Sequence, residues 1–172
     1  MACSLSLYYE LIKANPEKFK DLAPTFVIIL KQVIEHKLPK DFDYHKIPAP
    51  WIQIKILKIL ALLGKNDLKA SEHCYSIVGQ ALEKRFSNNN VNIGFALLYE
   101  CVQTIATIYP NQALLESAAL CVTKFLESTS NNLKYMGITL LSVIFKNYPK
   151  ILDEHQITVI DCLESKDETL RN

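Results

Sequence analysis

Apolar residues recur at helical spacing along almost the whole chain. Strand-like alternation is hard to find, and only four glycines are present to interrupt the pattern. The sequence therefore predicts an all-α protein. The predicted helices lie at residues 3–14, 17–37 (kinked near Pro24), 50–63, 67–86, 91–108, 111–128, 132–147 and 154–164.

The segment from Trp51 to Leu63 is apolar on nearly every side, with only Gln53, Lys55 and Lys58 polar among its longer side chains. Such a helix must be covered on more than one side. At a rise of about 1.5 Å per residue it is about 20 Å long, which is too short to span a bilayer. It is expected at the centre of a stack of helices. If Trp51 is buried there, its replacement by alanine should cost about 3–5 kcal/mol.

Helix boundaries carry their own signals. Proline suits the first turn of a helix, so Pro50 is expected to begin the apolar helix. Gly64 is expected to be its C-terminal cap, and Asp67 is expected to cap the start of the next helix.

A weak internal repeat indicates the architecture. Tyr109-Pro110 recurs as Tyr148-Pro149, and Phe125–Ser128 recurs as Cys162–Ser165. A period near 40 residues with two helices per unit is typical of HEAT and armadillo repeats, in which neighbouring pairs cover each other's apolar stripes. The prediction is an α-solenoid of antiparallel helix pairs, forming one segment over residues 1–172.

An irregular loop is expected near residues 38–49. It alternates aromatic with charged residues, Phe42 and Tyr44 standing among Lys40, Asp41 and His45. Two interpretations remain open. The aromatic side chains either form a partner site or pin a long loop onto the helices beneath, and the second interpretation is favoured.

The net charge of +1 lacks the basic excess that is typical of nucleic-acid binders. The first 69 residues carry 11 basic and 7 acidic side chains, and the remainder carry 8 and 11. A slightly basic first part could face an anionic membrane or an acidic partner, although a solvated face explains it more simply. No run of residues reaches the length of a membrane span, and a secretory signal is not evident.

No catalytic, cofactor or metal site is predicted. The four histidines show no metal-ligand spacing, and the isolated glycines form no phosphate loop. His73 and Cys74 are a tempting pair, but adjacent helical residues do not face each other. Five cysteines are present and are expected to be unpaired: Cys3, Cys74, Cys101, Cys121 and Cys162. The last four lie inside apolar helical runs, where a free cysteine behaves as a small hydrophobic residue. Unpaired cysteines are typical of a reducing, cytosolic environment.

Four blocks of the sequence resemble a known family: "FVIILKQVIEHKLPKDFDYHKIPAPWIQIKILKILALLGKNDLKASE" (Phe26–Glu72), "LLYECVQTIATIYP" (Leu97–Pro110), "NLKYMGITLL" (Asn132–Leu141) and "HQITVIDCL" (His155–Leu163). They are similar to the trunk of the large adaptins of heterotetrameric adaptor protein complexes, of the gamma and epsilon type and nearest to epsilon. The first block is the specific one. The likeness covers roughly Ser4 to Leu163, an internal segment of a much longer family trunk.

The resemblance implies a non-catalytic scaffold of a vesicle coat in intracellular protein transport. The implied partners are a second large, a medium and a small subunit, with no nucleic acid and no small-molecule substrate. The implied location is cytoplasmic, peripheral on trans-Golgi network and coated-vesicle membranes. Which residues bind partners is not given by the sequence. The alternative hypotheses are a free-standing helical-repeat module that binds a peptide or transport cargo and, more remotely, an enzyme using His73 or Cys74.

Overall fold

The computed structural model describes residues 2–86 and 92–147, together with residues 149, 156, 157, 160 and 164. Within these residues the chain is almost entirely helical. The α-helices are α1 (Ala2–Ala14), α2 (Ala23–Ile34), α3 (Pro50–Gly64), α4 (Leu68–Phe86), α5 (Asn92–Thr107), α6 (Gln112–Leu126) and α7 (Asn131–Phe145). Two short 3-10 helices, Pro16–Leu22 and Lys40–Phe42, and two short strands, β1 (Asp43–Tyr44) and β2 (Ile47–Pro48), complete the description.

The predicted all-α class is confirmed, and most helix boundaries lie within two residues of the expected ones. The single kinked helix predicted at 17–37 is wrong. Residues 16–22 instead form a 3-10 helix, and α2 begins at Ala23 with Pro24 in its first turn. Proline fits there because the first helical N–H groups have no partner within the helix. The helix predicted at 154–164 lies largely outside the described residues.

The chain divides into two compact units, Met1–Asn111 and Gln112–Asn172. In the first unit, α3 packs against α1, α2, α4 and α5, while α2 also packs against α4. Helices α1, α3 and α5 therefore form one layer, and α2 and α4 form the other. This alternation is the packing of a helical-repeat solenoid, in which each helix contacts the next and the next but one. In the second unit, α6 packs against α7.

Helix α3 has the central position that its composition predicts. Its fully buried side chains include Ile56, Leu57, Ile59, Leu60 and Leu63. Because four helices surround it, apolar residues on several of its sides are removed from water.

The condition for a large cost of Trp51→Ala, burial of the ring, is not met, because this side chain is 59% exposed. One side of α3 is left uncovered by its neighbours, and it carries Trp51, Lys55, Lys58 and Leu62. These four residues follow the spacing i, i+4, i+7 and i+11 and therefore share one helix face. Composition predicts that α3 is central, but it does not show that this face stays open.

The corner between α3 and α4 is closed by one buried hydroxyl group. Ser71 Oγ donates a hydrogen bond to the carbonyl oxygen of Gly64 at 2.8 Å and accepts one from the backbone N–H of Tyr109 at 3.0 Å. The Tyr75 hydroxyl donates to the carbonyl oxygen of Tyr109 at 2.9 Å. The ends of α3 and α5 are thereby fixed to the first turns of α4.

Gly64 was expected to be the C-terminal cap of α3, and this prediction is wrong, because the helix includes Gly64 and Lys65 occupies the cap position. No glycine among the described residues has a positive φ, and Asn66 instead takes the left-handed conformation with φ of 58°. A Cβ atom on Gly64 would lie 2.7 Å from Cγ2 of Ile108 and 2.9 Å from Oγ of Ser71. The glycine is needed because α3 approaches these two side chains closely.

The predicted cap at Asp67 is confirmed. Its carboxylate accepts a hydrogen bond from the backbone N–H of Ala70 at 2.9 Å, at the start of α4. Lys20 Nζ lies 2.9 Å from the other carboxylate oxygen, which ties the first 3-10 helix to this corner. The hydrogen bond from Ala70 has the larger effect on the pKa of Asp67 and the contact with Lys20 the smaller, and both hold this pKa below its usual range.

The loop before α3 contains a tight β-hairpin. Strands β1 and β2 pair antiparallel, with Asp43 opposite Pro48 and Tyr44 opposite Ile47. The two residues between the strands, His45 and Lys46, have φ of 49° and 64°. This is the arrangement of a type I′ turn, which normally favours Asn and Gly.

The hairpin is attached to the start of α3. The Gln53 side-chain amide donates a hydrogen bond to the carbonyl oxygen of Pro48, and the N–H of Ala49 donates to the carbonyl oxygen of Phe42. The Tyr44 ring contacts the Trp51 ring edge to face, with 5.0 Å between centroids. These contacts support the interpretation that the loop is pinned onto the helices. Tyr44 is nevertheless 45% exposed, so the partner-site interpretation stays a prediction.

The second unit is described mainly by α6 and α7. A Cβ atom on Gly137 of α7 would lie 2.9 Å from Leu126 and 3.0 Å from Phe125, so this glycine permits close packing of the two helices. Helix α6 ends at Leu126, where the repeat predicts a helix end. The second copy of that repeat lies largely outside the described residues, and the single solenoid segment over residues 1–172 stays a prediction.

Candidate partner surface

The open side of α3, together with one tyrosine from each flanking helix, forms a continuous surface that we call the α3 face. It consists of Tyr9 of α1, Trp51, Lys55, Lys58 and Leu62 of α3, and Tyr99 of α5. All six residues are at least partly exposed. The three helices belong to the same layer of the first unit, so their side chains contribute to one surface.

One end of the α3 face is aromatic. Trp51 lies beside Tyr44 of the hairpin and lines a shallow pocket of about 220 Å³ with Leu5 and Ser6 of α1 and with Ile52 and Lys55 of α3. A half-exposed tryptophan offers a large apolar surface together with an indole N–H that can donate a hydrogen bond. Such residues contribute strongly to binding energy in protein interfaces.

Lys55 occupies the next turn of α3. Its ammonium nitrogen lies 5.2 Å from the centroid of the Tyr9 ring, a distance typical of cation–π contacts. Among residues 2–86 and 92–147, no carboxylate forms an ion pair with Lys55. The positive charge of Lys55 is therefore oriented by an aromatic ring and is not neutralised by a neighbour.

Lys58 lies one further turn along and is paired with a recessed carboxylate. Its Nζ lies 3.7 Å from a carboxylate oxygen of Glu100 on α5, whose side chain is only 12% exposed. A hollow of about 330 Å³ lies beside Lys58 and Glu100. It is lined by Tyr9, Lys58, Ala61, Leu62, Tyr99, Glu100, Gln103 and Thr107. The amide of Gln103 donates to the Tyr99 hydroxyl at 3.1 Å, which fixes the rim of the hollow.

Burial raises the pKa of Glu100 above its ordinary value of 4.5, and the Lys58 charge only partly opposes this effect. The folded state therefore holds the proton more tightly than the unfolded state does. As a result, the contribution of Glu100 to stability falls as the pH rises through the interval above 4.5.

We therefore expect Glu100→Gln to be at least as stable as the natural chain at about pH 7, with the gap narrowing when the pH is lowered to 4.5, the ordinary pKa of a glutamate, because the raised pKa of Glu100 lies above that value. Thermal unfolding followed by circular dichroism at both pH values measures this difference. The matched control for the loss of one carboxylate is Glu72→Gln, at an exposed position of α4. A clear loss of stability in Glu100→Gln at neutral pH would mean that the Lys58 pair outweighs the cost of burial.

The amino-acid sequence matches a known family over its full length. Residues 1–172 match the family described as the Adaptin N terminal region. The chain belongs to the adaptin family. The adaptin chain is 46% identical over 171 residues to the AP-4 complex subunit epsilon-1 of Mus musculus, with 99% of the chain and 15% of that relative covered.

Two further relatives agree. Identity is 49% over 171 residues to the AP-4 complex subunit epsilon of Arabidopsis thaliana, covering 99% of the adaptin chain and 18% of that relative. Identity is 34% over 153 residues to the AP-1 complex subunit gamma of Dictyostelium discoideum, and this match covers 89% of the adaptin chain and 17% of that relative. These values confirm the predicted resemblance to large adaptins of the epsilon type. The adaptin chain spans less than a fifth of the length of these relatives.

His73 and Cys74, the two residues considered for catalysis, differ in exposure in the adaptin chain. His73 is exposed, whereas Cys74 is buried and its thiol lies 3.3 Å from the carbonyl oxygen of Ala70. Burial raises the pKa of Cys74 to about 12 and that of Cys121 likewise to about 12, so neither thiol ionises near neutral pH. Cys101 is also buried, Cys3 is exposed, and Cys162 lies outside the described residues.

Within the described ranges, no three His, Cys, Asp or Glu side chains are grouped so that they could hold a metal ion. Lys84 and Arg85 form a short basic pair at the end of α4. Lys84 Nζ donates to the carbonyl oxygen of Ile34 at 3.3 Å, and Arg85 is buried. No helix in the described part is both long and apolar enough to cross a membrane.

The α3 face of this adaptin was missed by sequence reasoning, although a signal for it exists. Trp51, Lys55, Lys58 and Leu62 lie on one side of a helical wheel, and two of the three long polar residues of α3 are among them. The third, Gln53, is buried and bonds to the hairpin. Grouping the polar positions by face shows that Lys55 and Lys58 share a side with Trp51, but it does not show whether another element covers that side.

Proposed function

We propose that this chain is a non-catalytic scaffold segment of the large subunit of a vesicle-coat adaptor complex, acting in intracellular protein transport and vesicle-mediated sorting. The observation that carries the proposal is the full-length match to the Adaptin N terminal region, with 43–49% identity to subunits named as parts of AP-4 complexes. The stacked helices of the first unit support it, because a helical-repeat layer offers extended surface for binding other chains.

The proposed partners are the other subunits of such a complex: a second large chain, a medium chain and a small chain. Contact with membranes would be peripheral and would occur through the assembled complex, on cytoplasmic faces of the trans-Golgi network and coated vesicles. The α3 face supports a role in binding, since aromatic and cationic side chains stand on a rigid helix and not on a flexible loop.

Co-expression tests this function. The full chain carrying an affinity tag would be produced together with the second large, medium and small subunits of an adaptor complex of the epsilon type. We expect at least one of these subunits to co-purify with it after washing, while an unrelated helical-repeat protein with the same tag retains none. Failure of every subunit to associate would overturn the proposal.

A free-standing module that binds a peptide or transport cargo is the second candidate function. The observation that favours it is the open α3 face, with its aromatic end and its hollow beside Glu100. A monomeric chain that captures a linear peptide and associates with no adaptor subunit would favour this alternative over the scaffold.

A further inference from the structure

The α3 face presents its aromatic and cationic groups at regular intervals. With a rise of about 1.5 Å per residue, Lys55 lies about 6 Å and Lys58 about 10 Å along the helix axis from Trp51. The same intervals separate residues i, i+4 and i+7 of any helix that runs alongside α3. A partner helix can therefore place an apolar side chain against Trp51 and two further side chains against the lysines in register.

The charge of the α3 face is positive. Lys55 has no carboxylate partner among the described residues, and Tyr9 holds it in place. Lys58 faces one carboxylate, that of Glu100, which lies in the floor of the hollow and not at its rim. Of the two ammonium groups on the α3 face, that of Lys55 therefore has no carboxylate partner among the described residues and that of Lys58 has a recessed one, which favours carboxylates on the partner.

The apolar content of the α3 face favours a folded protein segment over a lipid surface. Trp51, Leu62, Tyr9 and Tyr99 share the α3 face with the lysines, and Ala61 and Leu62 add apolar lining to the hollow beside Lys58. Membrane binding through charge relies on clusters of about four to eight basic residues. The adjoining hairpin region instead mixes Lys40 and Lys46 with Asp41 and Asp43.

We propose that the α3 face docks an acidic amphipathic helix of a partner protein, with an apolar side chain of that helix against Trp51 and carboxylates at i+4 and i+7 against Lys55 and Lys58. This inference rests on the proposed function, because it specifies the chemistry of a partner for the same scaffold. The mode is that of a helix lying in a groove of a helical layer.

Two synthetic peptides of about 20 residues test the chemistry. The first is a helix with leucines along one side and glutamates flanking them, and the second carries lysine at every glutamate position. Fluorescence anisotropy measures their binding to the full chain. We expect the acidic peptide to bind about tenfold or more tightly than the lysine peptide. Its affinity should fall as NaCl is raised from about 50 to about 300 mM, because salt screens exposed charges.

Variants of the chain locate the binding. Lys55→Glu should weaken the acidic peptide about tenfold or more and strengthen the lysine peptide, since the charge preference is reversed. Trp51→Ala should weaken both peptides. The matched control is Lys69→Glu, the same charge change at an exposed position in the first turn of α4, in the other helix layer, and it should change neither affinity. Lys58 is left intact because it compensates Glu100, and circular dichroism checks that each variant is folded.

Three results would overturn the inference: equal affinity for the two peptides, an unchanged affinity in folded Lys55→Glu, or an equal loss in Lys69→Glu. Binding of the chain to phosphatidylserine vesicles that is lost in Lys55→Glu, with no binding of the acidic peptide, would assign the face to a lipid surface instead. Co-purification with adaptor subunits is measured on the same preparations. Subunit association without peptide binding defeats this inference alone, whereas peptide binding without subunit association defeats only the proposed function.

Discussion

Replacing Leu60 with alanine should lower the free energy of unfolding by about 2–5 kcal/mol. Leu60 is fully buried in α3, the helix that packs against four others in the first unit. The substitution removes the transfer free energy of the lost methyl and methylene groups and leaves a cavity that the surrounding helices can close only in part. Urea denaturation of the full chain, followed by circular dichroism, gives the change in unfolding free energy.

Two variants in the same helix show whether burial is the cause. Leu60→Met keeps the volume nearly constant and should cost less than about 1.5 kcal/mol. Trp51→Ala removes a larger side chain that is 59% exposed, so it should cost about 1 kcal/mol or less and not the 3–5 kcal/mol expected for a buried ring. If Trp51→Ala were the more destabilising of the two alanine variants, the layer arrangement around α3 would be wrong.

Gly64→Ala should lower the free energy of unfolding by about 1–3 kcal/mol, although alanine favours helix more than glycine does. The new methyl group would lie 2.7 Å from Cγ2 and 3.2 Å from Cβ of Ile108, and 2.9 Å from Oγ of Ser71. Ile108 is branched at Cβ and cannot swing its methyl group aside without changing rotamer. Moving Ser71 would break its hydrogen bonds to Gly64 and Tyr109. Thermal and urea unfolding measure the loss.

Gly79→Ala in α4 is the matched control. Gly79 also lies inside a helix, but it lines an open groove with Val27, Lys31 and Gln80. Alanine there should stabilise the chain by up to about 1 kcal/mol, because only the helix propensity changes. Similar effects at the two glycines would show that the corner between α3 and α4 is not closely packed.

The central position of α3 could be inferred from composition, because ten of the thirteen residues from Trp51 to Leu63 are apolar and such a helix must be covered on more than one side. The open side could not be inferred in the same way. Burial of Trp51 depends on whether another element lies over it, and the side chain stays 59% exposed although Tyr44 of the hairpin contacts its ring. The hydrophobicity of a side chain indicates how much free energy its burial would contribute, but it does not indicate whether another element packs over that side chain.

The reason for a glycine at position 64 also could not be inferred from the sequence near it. A glycine after an apolar helix predicts a left-handed cap, because this is the commonest reason for glycine there. In the structure Asn66 takes the left-handed conformation, and Gly64 is needed because Ile108, 44 positions later in the chain, packs against its Cα. Only a long-range contact distinguishes the two explanations. By contrast, the Asp67 cap depends on groups three residues apart and was predictable.

The sequence by itself determined the all-α class and the places where most helices begin and end, because helical periodicity, proline positions and local capping act within a few residues. The adaptin family was evident from the resemblance of four blocks of residues to that family. Only the tertiary structure decided which side of α3 is open, that Glu100 lies recessed beneath Lys58, and that Lys55 rests on Tyr9. These features come from side chains on different helices meeting across a layer. The free energy of such contacts depends on how the helices pack, which periodicity along one helix does not specify.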